Sequence, residues 1–235
     1  MTAINNSECK ARAKAVMNQT SPTIFIAALI GIGIPILIGW LTEGSAELSD
    51  IFDGLRALEH HDLPNLLHFL RQQTLVIFGT IYALMMWVAG IFGGWISAIL
   101  KYGFTDYTLR TIRGELGEPK NTLIGFRIPG RIIIAHILRS IIVWLGTLCF
   151  FVPGILASYS LRMTERVMID HPEWTVVQCM QYSHDLMRGH RMDLFGLDLS
   201  FFGWIALETI TRQLSGIYSG PYRYMAEGFF YERLQ

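Results

Sequence analysis

A forty-residue apolar stretch, residues 131–170, is interrupted near its middle by Val152-Pro153-Gly154. As one straight helix it would be about 60 Å long, roughly twice the hydrocarbon thickness of a bilayer, so the chain must bend or reverse within it. Proline removes a helix donor and restricts the residue before it, whereas glycine can adopt the left-handed conformation that a reversal needs. The sequence therefore predicts a membrane hairpin that turns at Pro153 and Gly154.

The composition agrees with a membrane protein. The chain has 235 residues, of which 51% are hydrophobic and 16% charged, whereas soluble domains carry about 25% charged residues. We expect one integral membrane domain over residues 1–235. The nineteen basic and nineteen acidic residues cancel, so no net charge attracts nucleic acid and no nucleic-acid partner is expected.

Six apolar segments predict an all-α, polytopic helical bundle with amphipathic helices at its surface. Two of the six, residues 155–170 and 214–231, are short and polar, and whether they cross completely stays open. The six segments are residues 22–41, 74–100, the two arms of the 131–170 hairpin, 193–213 and 214–231.

The charges of the connecting segments predict the orientation by the positive-inside rule. Residues 1–20 form a basic amphipathic helix and residues 101–131 a basic loop, so both are expected in the cytoplasm. The acidic loop 42–73 is expected outside, and residues 171–192, an amphipathic helix ending in Arg188, inside. Both termini would then be cytoplasmic, and the first span would serve as an uncleaved anchor.

Ionisable residues at apparent membrane depth are the candidate functional residues, because each is costly there unless it is paired or hydrated. Three contacts are expected: Arg162 with Glu165, Glu208 with Arg212, and Arg139 with Asp198. One interpretation is a polar path that binds an ion, a lipid headgroup or a protonatable substrate, and the other is a set of structural ion pairs. The full candidate set is His136, Arg139, Arg162, Glu165, Arg166, Asp198, Glu208 and Arg212.

Enzyme, metal and cofactor signatures are absent from the sequence. No phosphate-binding glycine loop, zinc-binding histidine helix or nucleophile-elbow pentapeptide is present. The cysteines, at positions 9, 149 and 179, lack metal-ligand spacing and are interpreted as reduced packing residues. His60, His61 and His68 are interpreted as solvated surface residues. We expect no catalytic residue, metal or cofactor.

The second half of the chain resembles a known family. The motifs that carry the resemblance are Phe151-Val152-Pro153-Gly154-Ile155, Ser183-x-x-Leu186-Met187-x-Gly189-His190, Leu199-Ser200-Phe201-Phe202-Gly203-Trp204, and Pro221-Tyr222 followed by Phe230-Tyr231. With these motifs, residues 125–234 resemble the bacterial integral membrane domain of unknown function 975, which is similar to the membrane domain of some glycerophosphodiester phosphodiesterases. The resemblance implies a polytopic protein of the bacterial inner membrane with no established reaction.

The leading functional hypothesis is a non-enzymatic membrane module that contacts lipids or a partner membrane protein, in envelope homeostasis or resistance to membrane-active peptides. The alternatives are a small channel or transporter that uses the intramembrane charges, and a membrane-embedded lipid-processing enzyme. Gly90 and Gly94, four residues apart, predict close helix packing within one subunit or between two copies of the chain.

Overall fold

The computed structural model describes residues 6–43, 65–115 and 118–235. These residues are helical, and no strand occurs among them, which confirms the all-α prediction. A π-helical turn, Leu29–Gly33, joins α2 to α3, and a 3₁₀ segment, Pro119–Arg127, precedes α5. The helices are α1 Asn6–Thr20, α2 Thr23–Ala28, α3 Ile34–Glu43, α4 Asn65–Ile112, α5 Pro129–Cys149, α6 Phe151–Ser160, α7 Thr164–Asp170, α8 Val176–Leu186, α9 Arg191–Ser200, α10 Phe202–Ile210 and α11 Gly216–Glu232.

Three helical segments in the described part of the chain are long and apolar enough to cross a membrane. They are Thr23–Trp40, Gln73–Ile112 and Pro129–Cys149, with mean hydropathies of 2.3, 2.2 and 2.0. They overlap the first three predicted crossings, and they indicate a membrane protein. The second helix also continues through residues 101–112, so the predicted loop 101–131 is wrong over this part. Of the later predicted crossings, residues 155–170 are divided between α6 and α7 and residues 193–213 between α9 and α10, whereas residues 214–231 lie mostly in the single helix α11. The six-crossing topology therefore stays a prediction.

The structure divides into two compact units. The first contains residues 1–34 and 97–235, and the second contains residues 35–96. In the second unit, a side chain at Gly93 would lie 2.6 Å from Ile38, so this glycine allows α3 and α4 to approach closely. The Cβ positions of Gly90 and Gly94 have no described atom within 4 Å, so in the described residues this pair packs against neither α3 nor any other element.

The first predicted span contains a local widening of the helix. A proline at position 35 cannot donate to the carbonyl of residue 31, and its ring clashes with that carbonyl in a regular helix. The π-helical turn over Leu29–Gly33 lies directly before this position and relieves the clash. Gly31 in this turn is buried, and a side chain there would lie 2.5 Å from Phe104 Cβ, so the turn packs tightly on α4.

The hairpin reverses slightly earlier than Pro153 and Gly154. Phe150 is extended, with φ −162° and ψ 148°, and it separates α5 from α6, which pack against each other. Pro153 lies in the first turn of α6, where a missing N–H costs no helical hydrogen bond. Gly154 is buried, and a side chain at this position would clash with Thr147 on α5. The two residues thus begin the second arm and allow it to pack closely, while Phe150 makes the reversal.

The open end of the hairpin is joined by Arg131, at the start of α5. Its guanidinium donates to the backbone carbonyls of His171, at 3.1 Å, and Trp174, at 2.7 Å, and also to that of Pro172. His171 stacks on Trp174 with ring centroids 3.9 Å apart. The chain after the second arm therefore returns to the level at which the first arm begins.

The amino-terminal helix α1 packs along α11. Its buried residues are Cys9, Ala13 and Met17, and an ion pair joins Glu8 to Arg233 just beyond α11. The narrow apolar face of this predicted surface helix is therefore covered by the same chain, and its basic residues Arg12 and Lys14 remain exposed.

The predicted amphipathic helix after the hairpin is α8. Thr175 and Gln178 form a capping box at its amino end, which supplies partners for otherwise free N–H groups. Cys179, Met180 and Ser183 are buried, because α8 packs against α5, α6 and α7.

Most of the predicted outer loop lies outside the described residues. This applies to its predicted amphipathic helix and to His60 and His61, because residues 44–64 are not described. His68 belongs to α4.

Candidate functional site

A buried ionic cluster lies where the turn between α6 and α7 meets α11. Glu227, from α11, accepts a hydrogen bond at 2.7 Å from Arg162 Nη2 on one carboxylate oxygen and another at 3.3 Å from Arg166 Nη2 on the other. The side chains of Arg166 and Glu227 are only 4% and 7% exposed. One carboxylate thus holds two guanidinium groups inside the protein.

A second acid completes this cluster. Asp198, from α9, lies 3.8 Å from Arg162 Nη2 and accepts a hydrogen bond at 3.1 Å from the Tyr159 hydroxyl. Arg166 also donates to the carbonyl of Tyr224 at 3.4 Å. Two acids therefore balance two bases, which reduces the cost of burying each ion. We call these residues the ionic network: Tyr159, Arg162, Arg166, Asp198 and Glu227.

Local backbone features explain why the network forms. Arg162 lies in the turn Leu161–Met163, between α6 and α7. Its side chain therefore does not follow the helical spacing of α7. On α11, a side chain at Gly228 would clash with Ile112, so this glycine allows α11 to approach the end of α4. The neighbouring Glu227 reaches both arginines from α11.

The expected pair between Arg162 and Glu165 is not formed. A contact between residues three apart requires a continuous helix, and the turn after Ser160 breaks it. Arg162 pairs instead with Glu227, which was not among the sequence candidates. One sequence signal could have identified Glu227: it is the single carboxylate in the mostly buried segment from Met225 to Tyr231.

The expected contact between Arg139 and Asp198 is also not formed. Asp198 lies on α9, which packs against α6, so its carboxylate reaches Tyr159 and Arg162 on the second arm. Arg139 lies on α5 and lines a cleft against α7.

The expected pair between Glu208 and Arg212 is replaced by contacts with α11. Glu208 accepts a hydrogen bond from Ser219 and lies 4.0 Å from Arg223. Arg212 has a positive φ of 48° and follows the end of α10 at Ile210, so the two residues do not share a helix. Arg212 is exposed.

A small polar cleft lies beside the ionic network, and we call it the Arg139 cleft. Arg139 and His136 from α5, Glu165 and Thr164 from α7, and Tyr102 from α4 line it. Its enclosed part has a volume of about 20 Å³, which is room for about one water molecule. Among the described residues, Arg139 and Glu165 form no ion pair or side-chain hydrogen bond, either with each other or with a third group.

A separate clasp joins the ends of α4, α7 and α11. Arg113 donates to both oxygens of Asp170, at 2.7 and 3.0 Å, and to Glu232 at 2.7 Å. The Tyr231 hydroxyl and the Gln235 amide donate to Asp170 at 2.8 and 2.9 Å. Burial opposes ionisation of Asp170, but these hydrogen bonds outweigh it and hold its pKa below the usual value.

The cysteines are free thiols: Cys9 and Cys179 are buried and Cys149 is exposed. The described ranges contain no group of three or more histidine, cysteine, aspartate or glutamate side chains that could hold a metal ion.

The fold and these clusters define an all-α protein with three helices able to span a membrane and an ionic network in its carboxy-terminal half. Residues 148–235 match the family model described as protein of unknown function (DUF975). The match contains the whole ionic network but not His136 or Arg139, and it begins later than the resemblance found in the sequence. No curated protein matches the chain. No solved structure matches it either.

Proposed function

We infer that this chain is a non-enzymatic integral membrane protein of the bacterial cytoplasmic membrane that acts by contacting lipids. The observation that carries this proposal is the pairing of the buried charges with one another while the outer faces of the candidate spans are apolar. A protein whose buried charges pair with one another is more typical of a structural scaffold than of a channel or transporter.

The outer surface of the hairpin supports contact with lipid. Trp144, Leu148 and Phe151 have 64%, 69% and 72% of their surface exposed. Large contiguous apolar surfaces are unusual on soluble proteins, whereas acyl chains cover such surfaces at no hydrophobic cost. The helical backbone of α5 satisfies its own hydrogen bonds, as a lipid-facing segment must.

The interior supports a structural role for the ionic network. A path for ions or solutes needs hydrated space and charges that are free to exchange partners. Arg162, Arg166 and Glu227 are instead bonded to one another, and the enclosed part of the neighbouring cleft is only about 20 Å³.

Reconstitution in liposomes tests the proposal against the channel or transporter alternative. We expect no specific movement of ions or small solutes through the wild-type protein, and we expect Asp198→Asn to lower only thermal stability. Specific flux in the wild type that Asp198→Asn abolishes would overturn the proposal.

Incubation with radiolabelled phospholipids tests the enzymatic alternative. We expect the lipids to be recovered unchanged. A product that forms with the wild type but not with heat-inactivated protein would show a lipid-processing enzyme.

A further inference from the structure

The Arg139 cleft holds two opposite charges that form no direct ion pair or hydrogen bond with each other. Arg139 is the central residue of α5, which runs from Pro129 to Cys149, and Glu165 lies in the first turn of α7. Both line the same cleft, yet no hydrogen bond or ion pair satisfies either side chain within the described residues. In the neighbouring ionic network, by contrast, every charged side chain has a partner of opposite charge.

This arrangement is unusual for a candidate membrane span. An unpaired ion in an apolar environment costs several kcal/mol, so a guanidinium and a carboxylate placed side by side normally form a pair. Both side chains are partly exposed, so a molecule at the mouth of the cleft can reach them. A ligand with one anionic and one cationic group would satisfy both.

The remaining polar groups of the cleft leave its two charges as the determinants of binding. Tyr102 and His136 also line it, and neither side chain forms a hydrogen bond within the described residues. The Thr164 hydroxyl is already used, because it donates to the carbonyl of Leu161 at 2.9 Å. Arg139 presents the donor groups that bind a phosphodiester, and Glu165 is the acceptor for an ammonium group.

The depth of the cleft fits a lipid from the nearer leaflet. Arg131 and His171 are joined at the open end of the hairpin, and Arg139 is eight residues further along α5, which is about 12 Å at 1.5 Å per residue. A long arginine side chain can extend part of this distance toward the headgroups. The enclosed part of the cleft holds only about one water molecule, so the headgroup would lie across the mouth.

We propose that the Arg139 cleft binds a zwitterionic headgroup, with the phosphodiester against Arg139 and a primary ammonium group against Glu165. The inference deepens the proposed function and rests on it, since it names the class of lipid contacted. The same chemistry occurs in a free phosphoethanolamine molecule, and the experiment separates the two sources.

Binding to short-chain lipids with identical acyl chains tests the proposal. The purified full-length protein in detergent is titrated with phosphatidylethanolamine, phosphatidylcholine and phosphatidylglycerol, and native mass spectrometry counts the bound lipids. We expect about tenfold tighter binding of phosphatidylethanolamine, because only this lipid offers both a phosphodiester and an ammonium hydrogen-bond donor. Competition by free phosphoethanolamine at equal concentration would assign the site to a soluble ligand, and weaker competition would assign it to the lipid.

Variants locate the site. Glu165→Gln should reduce the affinity for phosphatidylethanolamine to that for phosphatidylcholine, and Arg139→Gln should weaken the binding of both lipids, because both carry the phosphodiester. The matched controls Arg127→Gln and Asp185→Asn remove exposed charges elsewhere, and they should leave the preference unchanged. If Arg139→Gln does not fold, the lipid preference of the wild type and that of Glu165→Gln still test the proposal.

Two results would overturn the proposal. One is equal affinity of the wild type for all three lipids. The other is an unchanged preference in Glu165→Gln together with an unchanged lipid affinity in Arg139→Gln, as expected if a single water bridges the two side chains. In either case, retention in membranes after alkaline carbonate extraction would leave the proposed function standing, whereas release from membranes would contradict that function itself.

Discussion

Arg113 and Asp170 form a two-bond ion pair, with nitrogen to oxygen distances of 2.7 and 3.0 Å, between the end of α4 and the end of α7. Asp170 is 12% exposed and also accepts hydrogen bonds from Tyr231 and Gln235. We expect Asp170→Asn to lower the free energy of unfolding by about 1–3 kcal/mol, because it weakens several charge-assisted hydrogen bonds. Denaturation in detergent micelles measures the change.

A matched control exists in the same half of the chain. Glu118 is 72% exposed and lies 3.6 Å from Lys120. Glu118→Gln should change stability by less than about 0.5 kcal/mol, as is usual for exposed pairs. An equal effect of the two substitutions would contradict the importance of the clasp.

The Asp170 contribution should depend on pH in a defined direction. Its pKa is lowered in the folded protein, so the unfolded state binds the proton more tightly, and stability falls as the pH falls. The contribution is fully present above the unfolded pKa of about 3.9 and is lost as the pH drops through the lower folded pKa. The stability difference between wild type and Asp170→Asn should therefore be constant near neutrality and shrink below about pH 4. A difference that grew under acid would refute this assignment.

Removal of Glu227 should be the most damaging single charge change. Glu227→Gln leaves the buried Arg166 and the half-buried Arg162 without their shared carboxylate, which should cost about 3–5 kcal/mol. Adding Arg162→Gln should cost less than the sum of the single effects, because the two residues interact directly. Additive effects in this double-mutant cycle would show that the pair is not coupled.

The packing of the hairpin should depend on Gly154. A methyl group there would meet Thr147 backbone and side-chain atoms, so Gly154→Ala should destabilise the protein by about 1–3 kcal/mol through overpacking. Gly203 on α10 has no described atom within 4 Å of its Cβ position. Gly203→Ala should be neutral or slightly stabilising because alanine favours the helix. Thermal denaturation of the two variants, compared side by side, checks this difference.

Thiol labelling tests the predicted orientation with a native residue. Cys149 is exposed at the end of α5, whereas Cys9 and Cys179 are buried. A membrane-impermeant thiol reagent should label Cys149 from outside intact cells. A cysteine introduced at Arg188, in a Cys149→Ser background, should be labelled only after the membrane is opened. Labelling of position 188 in intact cells would place residues 171–192 outside and invalidate the topology.

Local features of the fold were predictable because they depend on neighbouring residues. The apolar runs ending near Trp40 and Cys149 are continuous in sequence, so their length alone indicates a span. Pro153 and Gly154 marked the region of reversal, but the extended residue is Phe150. Helix-start chemistry explains this shift, since a proline fits the first turn of a helix better than the loop before it.

The ionic partners were not predictable from spacing. Arg162 and Glu227 are 65 residues apart, and their contact depends on how α11 packs, which no short-range pattern encodes. The same limit applies to Glu208, whose partners Ser219 and Arg223 lie on the next helix. Rules based on helical periodicity assume continuous helices, and the turns after Ser160 and Ile210 interrupt them.

The docking of α1 on α11 also has a consequence for biosynthesis. The surface that covers Cys9, Ala13 and Met17 belongs to a helix translated about two hundred residues later, so α1 emerges from the ribosome long before its binding partner exists. Until α11 is complete, these three side chains lack the surface that covers them in the folded protein. Final assembly therefore waits for the ribosome to release the segment that carries Arg233, whatever the speed of the earlier insertion steps.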